Sequence, residues 1–149
     1  MSTRARFLAI TVFLLLLVCG CTSPPDTALV TQVIDGDTIA IEGGYRVRYI
    51  GIDTPEIHPE PEAFGLEALQ ANQKLVAGKI VRLEKDVSET DKYGRLLRYV
   101  YVDDIFVNAE LVRQGLAQAK AYPPDIKYQD YLKELEAEAR QSGKGMWAK

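Results

Sequence analysis

Asp35-Gly36-Asp37-Thr38 follows Val33-Ile34 and precedes Ile39-Ala40-Ile41, so its two acids stand in a strand-like context. Downstream come Arg48, then Asp53-Thr54-Pro55-Glu56, and later Thr90-Asp91-Lys92-Tyr93-Gly94-Arg95. Together these residue types suit metal-assisted cleavage of a phosphodiester. Carboxylates are hard oxygen ligands for a divalent cation. A further carboxylate can orient or deprotonate a water, and planar guanidinium forks match phosphate oxygens as charge accumulates on them. Each block alone has an ordinary explanation, because Asp-Gly turns and Asp-Thr-Pro loop entries are common structural devices. The weight lies in their combination and order.

The elements that must position these residues are short. Apolar alternation predicts three antiparallel strands at about 28–34, 37–42 and 45–52, with Asp35-Gly36 as a two-residue hairpin turn. Glu56 to Glu62 contains Pro59 and Pro61 and reads as a loop. A helix follows over 65–77, with Ala68, Ala71 and Leu75 beside Leu69, Asn72 and Val76 on a narrow apolar face, and Gly78 is placed to end it in a left-handed conformation. Lys79 to Lys85 and Leu96 to Val102 read as strands four and five, with the polar turn Ser88 to Gly94 between them. Asn108 is suited to cap a short helix over Ala109 to Gln114, and the last helix runs about 126–141, after which Trp147 packs back on the body. Five strands with a helix between the third and fourth is the order of an OB-fold barrel, an α+β architecture that is mainly β barrel with three helices.

The chain has 149 residues, which bounds it to one domain plus segments at its ends. Arg4 and Arg6 precede an apolar run from Phe7 to Val18, too short to span a bilayer and matched to the core of a signal peptide. Val18-Cys19-Gly20-Cys21 ends the run, and Thr22-Ser23-Pro24-Pro25 follows. This end resembles a bacterial lipoprotein signal, which implies a leader of residues 1–20, a lipid on Cys21, a linker over 21–27 and a domain over 28–149. An ordinary cleaved signal and a free secreted protein is the alternative. Both cysteines lie in this segment, so no disulfide or thiolate site can hold the domain. Without residues 1–20, 16 basic residues face 21 acidic ones, a net of about −5. That argues against a protein that coats nucleic acid nonspecifically, and less against a catalyst with a local cationic pocket.

From Val30 to Trp147 the chain resembles the staphylococcal nuclease (thermonuclease) family. The resemblance is carried by Ile34 to Thr38, by Arg48 leading to Asp53-Thr54-Pro55-Glu56, by Thr90 to Arg95, and by Val107 to Leu116. It implies calcium contacts from Asp37, Asp53 and the main-chain carbonyl of Thr54, with Asp35 orienting rather than ligating. It further implies that Glu56 handles the attacking water, that Arg48 and Arg95 flank the scissile phosphate, and that Lys92, Tyr93 and Tyr122 contact the nucleotide. The implied activity is calcium-dependent endonucleolytic hydrolysis of DNA and RNA, single strands preferred, leaving 3′-phosphate ends, by a monomer. The chain departs from the family after Gly115-Leu116-Ala117: Tyr122 is shifted by one position and Pro123-Pro124 follows where a second aromatic is usual, which changes the shape of the base pocket.

Arg46, Arg98 and the single histidine, His58, read as ordinary surface or loop residues. The rival functional readings are an inactive OB-fold nucleic-acid-binding lipoprotein and a structural lipoprotein of the cell envelope. Inactive barrels of this kind tend to lose acidic or arginine positions, and Asp37, Arg48, Asp53, Glu56 and Arg95 are all present.

Overall fold

Apolar side chains alternate along five segments between Thr27 and Val102, and each segment buries one face. The computed structural model describes residues 23–149. The leader, residues 1–20, and the candidate lipidation site Cys21 lie outside them. The elements in chain order are β1 (Thr27–Val33), β2 (Thr38–Ile41), β3 (Arg46–Tyr49), β4 (Ile52–Asp53), α1 (Gly65–Val76), β5 (Ile80–Glu84), β6 (Leu96–Val102), β7 (Ile105–Phe106), α2 (Val107–Arg113), β8 (Gln118–Ala119) and α3 (Gln129–Gln141). Among the described residues no helix is long and apolar enough to cross a membrane.

β1 pairs antiparallel with β2 and β5, β2 with β3, and β5 with β6. The parallel pairing of β3 with β6, through Val47↔Leu96 and Tyr49↔Arg98, joins the two ends of the sheet. The result is a closed five-stranded mixed barrel with three helices, the OB-type α+β fold the sequence predicts. Closure satisfies strand edges that would otherwise stay open. Val30, Ile39, Ile41, Val47, Tyr49, Val81, Val100 and Leu111 fill the interior, all nearly inaccessible to solvent. One extra residue in β1 between Val30 and Gln32 makes a bulge, which sharpens the twist leading into the Asp35–Asp37 loop.

Four local readings are corrected. The Asp35-Gly36 turn is longer than two residues: Ile34 N and Asp35 N both donate to Thr38 O, at 2.9 and 3.3 Å, and pairing resumes only at Val33↔Ile39. Gly36 stays out of the left-handed region that a tight primed turn requires. It serves close approach, since a Cβ there would lie 2.7 Å from Thr54 Oγ1 and 2.8 Å from Ala68 Cβ. The third strand breaks at Ile50-Gly51, where Gly51 has φ +79, and the chain re-enters as β4 to pair with β8 rather than extending the barrel.

Asn108 does not cap α2 but lies inside it, fully buried. Its Oδ1 accepts from Val100 N at 3.0 Å and its Nδ2 donates to Ile50 O at 2.8 Å, so it stitches helix to barrel. The last helix starts at Gln129 rather than near 126, because Asp125 turns its carboxylate back to Val87 N and Ser88 N, at 3.0 and 2.7 Å, instead of capping the helix. Trp147 packs under the Arg140 guanidinium, 3.7 Å from the ring centroid.

Candidate active site

The β2–β3 register places Thr38 opposite Arg48, and this brings the Asp35–Asp37 loop against the end of β3. Asp37 is buried. Its Oδ2 accepts from Thr54 N at 3.0 Å and pairs with Arg48 Nη2 at 3.0 Å, while Oδ1 accepts from the Thr38 hydroxyl at 3.1 Å. The same Arg48 nitrogen lies 2.9 Å from Asp53 Oδ1. Two carboxylates from different elements therefore meet on one donor, which is the convergence a shared cation needs. Arg48 Nη1 donates to the carbonyls of Tyr49 and Ile52 at 2.7 and 2.9 Å, so the guanidinium is oriented by backbone on one side and by acids on the other.

Asp35 Oδ1 accepts from Asp37 N at 3.0 Å, and the Asp35 carbonyl accepts from Asn72 Nδ2 at 3.0 Å. Burial raises the Asp37 carboxyl to about 7; Arg48 opposes the rise and the neighbouring Asp35 charge adds to it. A carboxylate so desolvated is one that a bound cation, added to Arg48, would keep ionised. Among the described residues no three His, Cys, Asp or Glu side chains gather as metal ligands. The available donors are Asp37, Asp53 and the Thr54 main chain, with solvent to complete the shell. That set fits a hard cation such as calcium, which takes carboxylate, carbonyl and water oxygens, and does not fit a closed zinc site.

Glu56 is exposed on the loop that follows β4. Its backbone is clamped, with N donating to Glu62 Oε2 at 2.9 Å and O accepting from Glu62 N at 2.8 Å. Among the described residues its carboxylate makes no hydrogen bond, and it stands three positions along the chain from Asp53 of the acid–guanidinium cluster. Arg95 belongs to a separate group. Asp91 gathers the 88–95 loop by accepting from Arg95 Nε at 2.7 Å, Arg95 N at 3.0 Å and Tyr93 N at 2.9 Å. Lys92 Nζ and the Arg95 guanidinium lie 5.0 and 5.5 Å from the centroid of the exposed Tyr93 ring. The two groups meet across a cavity of about 370 Å³ whose walls include Arg48, Lys92, Tyr93, Arg95 and Tyr122. Arg48 is the common wall, facing the cavity while holding both acids.

Sequence reasoning missed four contributors. Lys120, over β8, places Nζ 2.8 Å from Asp53 Oδ2. Asn72 ties the Asp35 loop to α1, and the available signal was an amide on an otherwise apolar helical face. Arg98 is no surface charge. It is buried, donates through Nη1 to the carbonyls of Glu89 and Leu97 at 3.1 and 2.8 Å, and pairs with the Glu89 carboxylate. Its parity with the inward-facing Leu96 and Val100 was the available signal, and the guanidinium escapes the core by turning to the 88–95 loop. Asp125 pins the other end of that loop. Arg46 and His58 are exposed, as read.

The fold and rim together define an OB-type barrel protein with a mixed acid–guanidinium site beside an aromatic pocket. The family described as Staphylococcal nuclease homologue matches residues 46–149. A thermonuclease of Staphylococcus intermedius is 41% identical over 128 residues, spanning 82% of this chain and 76% of that one. A thermonuclease of Staphylococcus hyicus is 38% identical over 128 residues with the same coverage. Endonuclease YncB of Bacillus subtilis is 40% identical over 126 residues, covering 79% of this chain and 60% of its own length. The chain belongs to the staphylococcal nuclease family.

Proposed function

We propose that this protein is a calcium-dependent endonuclease that hydrolyses DNA and RNA, preferring single strands and leaving 3′-phosphate ends. The nuclease class rests on family membership and on relatives named as thermonucleases and an endonuclease. The observation that carries the reading is Arg48: one nitrogen spans Asp37 and Asp53 while the side chain faces the aromatic cavity. A scissile phosphate seated there would meet Arg48 from one wall and Arg95 from the other. Their forks would hold its equatorial oxygens more tightly as negative charge develops, which lowers the barrier. Calcium, held by Asp37, Asp53 and the Thr54 carbonyl, would supply Lewis-acid polarisation of the phosphoryl group. Glu56 is exposed and uncommitted, as a residue that orients or deprotonates the attacking water must be. The water oxygen bonds to phosphorus as the bond to the 5′-oxygen breaks. Lys92, Tyr93 and Tyr122 would flank the nucleotide, with stacking worth about 1–3 kcal/mol per base.

The proposed setting is the cell envelope, with export directed by residues 1–20 and a lipid on Cys21. Detergent-phase partitioning that Cys21→Ala abolishes would support the anchor, and a protein that stays aqueous regardless would exclude it. The closed barrel favours a monomer, which sedimentation can check.

The decisive experiment titrates calcium into a single-stranded DNA cleavage assay, maps product ends, and includes Glu56→Gln. Calcium-stimulated cleavage lost by about 10²–10⁴ in the variant supports the reading. Binding without cleavage would instead support the inactive binding module.

A further inference from the structure

Lys120 contacts an acid of the candidate metal site and has no role so far. Its backbone N donates to Gly51 O at 2.9 Å, next to the short ladder in which Asp53 faces Gln118. The Lys120 backbone is thus pinned beside Asp53, while the side chain is half exposed and free to swing. Nζ lies 2.8 Å from Asp53 Oδ2 and 5.4 Å from the Tyr122 ring centroid. Because Arg48 takes Oδ1 at 2.9 Å, both oxygens of Asp53 are held by cations.

These two cations are not equivalent. Arg48 has only 12% of its side chain exposed and is anchored by the Tyr49 and Ile52 carbonyls, so it stays where it is. Lys120 has 51% of its side chain exposed, and a compact ammonium on a flexible stem gives up an exposed pair at little cost. A divalent ion and an ammonium also repel each other across one carboxylate.

We propose that Lys120 is a resident counter-ion of the metal site, which occupies Asp53 Oδ2 in the metal-free protein and must leave before a divalent cation can use that oxygen. Lys120 therefore lowers the metal affinity of this chain and sets the concentration at which the site fills. The proposal rests on the reading of Asp53 as a metal ligand.

Titration calorimetry with calcium chloride, on the wild-type chain and on Lys120→Met, Lys120→Gln and Asp53→Asn, tests it. An exposed pair of this strength shifts an equilibrium by roughly 2- to 5-fold. Both Lys120 variants are expected to bind calcium tighter by about that factor, with the difference shrinking as added salt screens the pair. Asp53→Asn is expected to bind at least tenfold more weakly, on the order of one lost carboxylate ligand. If Asp53→Asn weakens binding while both Lys120 variants match or fall below the wild type, the counter-ion role is overturned and the metal site stands. If Asp53→Asn binds calcium as the wild type does, the metal assignment itself fails and the proposal falls with it.

Discussion

Tyr49 donates a 2.8 Å hydrogen bond from its phenol to Asn72 Oδ1 where both residues are sealed from solvent. Asn72 passes the constraint on through Nδ2 to the Asp35 carbonyl at 3.0 Å, so α1 holds the acidic loop in place from beneath. Replacing Asn72 with leucine leaves the buried Tyr49 phenol without a partner, at about 1–3 kcal/mol, and frees the part-buried Asp35 carbonyl. Stability in urea should fall by that order. Cleavage measured well below the unfolding transition should fall as well, because the loop that carries Asp37 loses its tether. A variant that is destabilised but fully active would show that the tether serves the fold alone.

Arg48 and Arg95 separate rate from stability. Lysine at either position cannot reproduce the fork, and each substitution should reduce kcat by about 10²–10³. Arg48→Lys should also lower stability, since the guanidinium satisfies Asp37, Asp53 and two carbonyls in a partly buried site. Arg95→Lys should leave stability nearly unchanged, because its pair with Asp91 is partly exposed and such pairs contribute about 0–1 kcal/mol. Denaturant midpoints measured beside cleavage rates will show whether the two arginines divide in this way.

Asp91 organises the wall that carries Arg95. Burial pushes its carboxyl up, yet hydrogen bonds from the Arg95 side chain and from the Arg95 and Tyr93 amides outweigh it and hold the group below its ordinary value of 3.8. A depressed folded-state value means that the contribution is complete above 3.8 and is lost as pH falls through the lower folded value. Asp91→Asn should therefore be less stable than the wild type at neutral pH. The gap should close in the acid range, which urea midpoints collected across pH can follow. A constant gap would mean that Asp91 acts through shape rather than charge.

Gly36 tests how closely the loop packs. An added Cβ would lie 2.7 Å from Thr54 Oγ1 and 2.8 Å from Ala68 Cβ, closer than van der Waals contact allows. Gly36→Ala should cost about 1–3 kcal/mol through overpacking. It should also weaken calcium binding, because Thr54, whose amide holds Asp37, must move. Thermal unfolding and calcium titration of the same sample give both readings.

The order of elements and the inventory of reactive residues were legible because both are local properties. Alternation along Ala28 to Val33 and Arg46 to Tyr49 states which side chains face inward, and the blocks around Asp37, Asp53 and Arg95 name their chemistry by type and spacing. Gly78 ends α1 with φ +67 for a reason that residue type alone conveys. Asn108 was misread as a cap, because its side chain serves a helix terminus equally well, and the last helix was read as starting three residues too early. The buried Val100 amide claimed Asn108, and the amides of Val87 and Ser88 at the 88–95 loop claimed the Asp125 carboxylate.

Arg48 and its acids show where the division falls. That the chain carries a guanidinium and two carboxylates at these intervals is written in the sequence. That one nitrogen serves both acids follows from the β2–β3 register and from the break at Gly51, which returns Asp53 to the rim. Lys120 reaches Asp53 across 67 residues only because β8 pairs with β4. Local periodicity encodes backbone torsion and facing, whereas contacts between distant segments depend on how the barrel closes, and closure is a property of the whole packed chain.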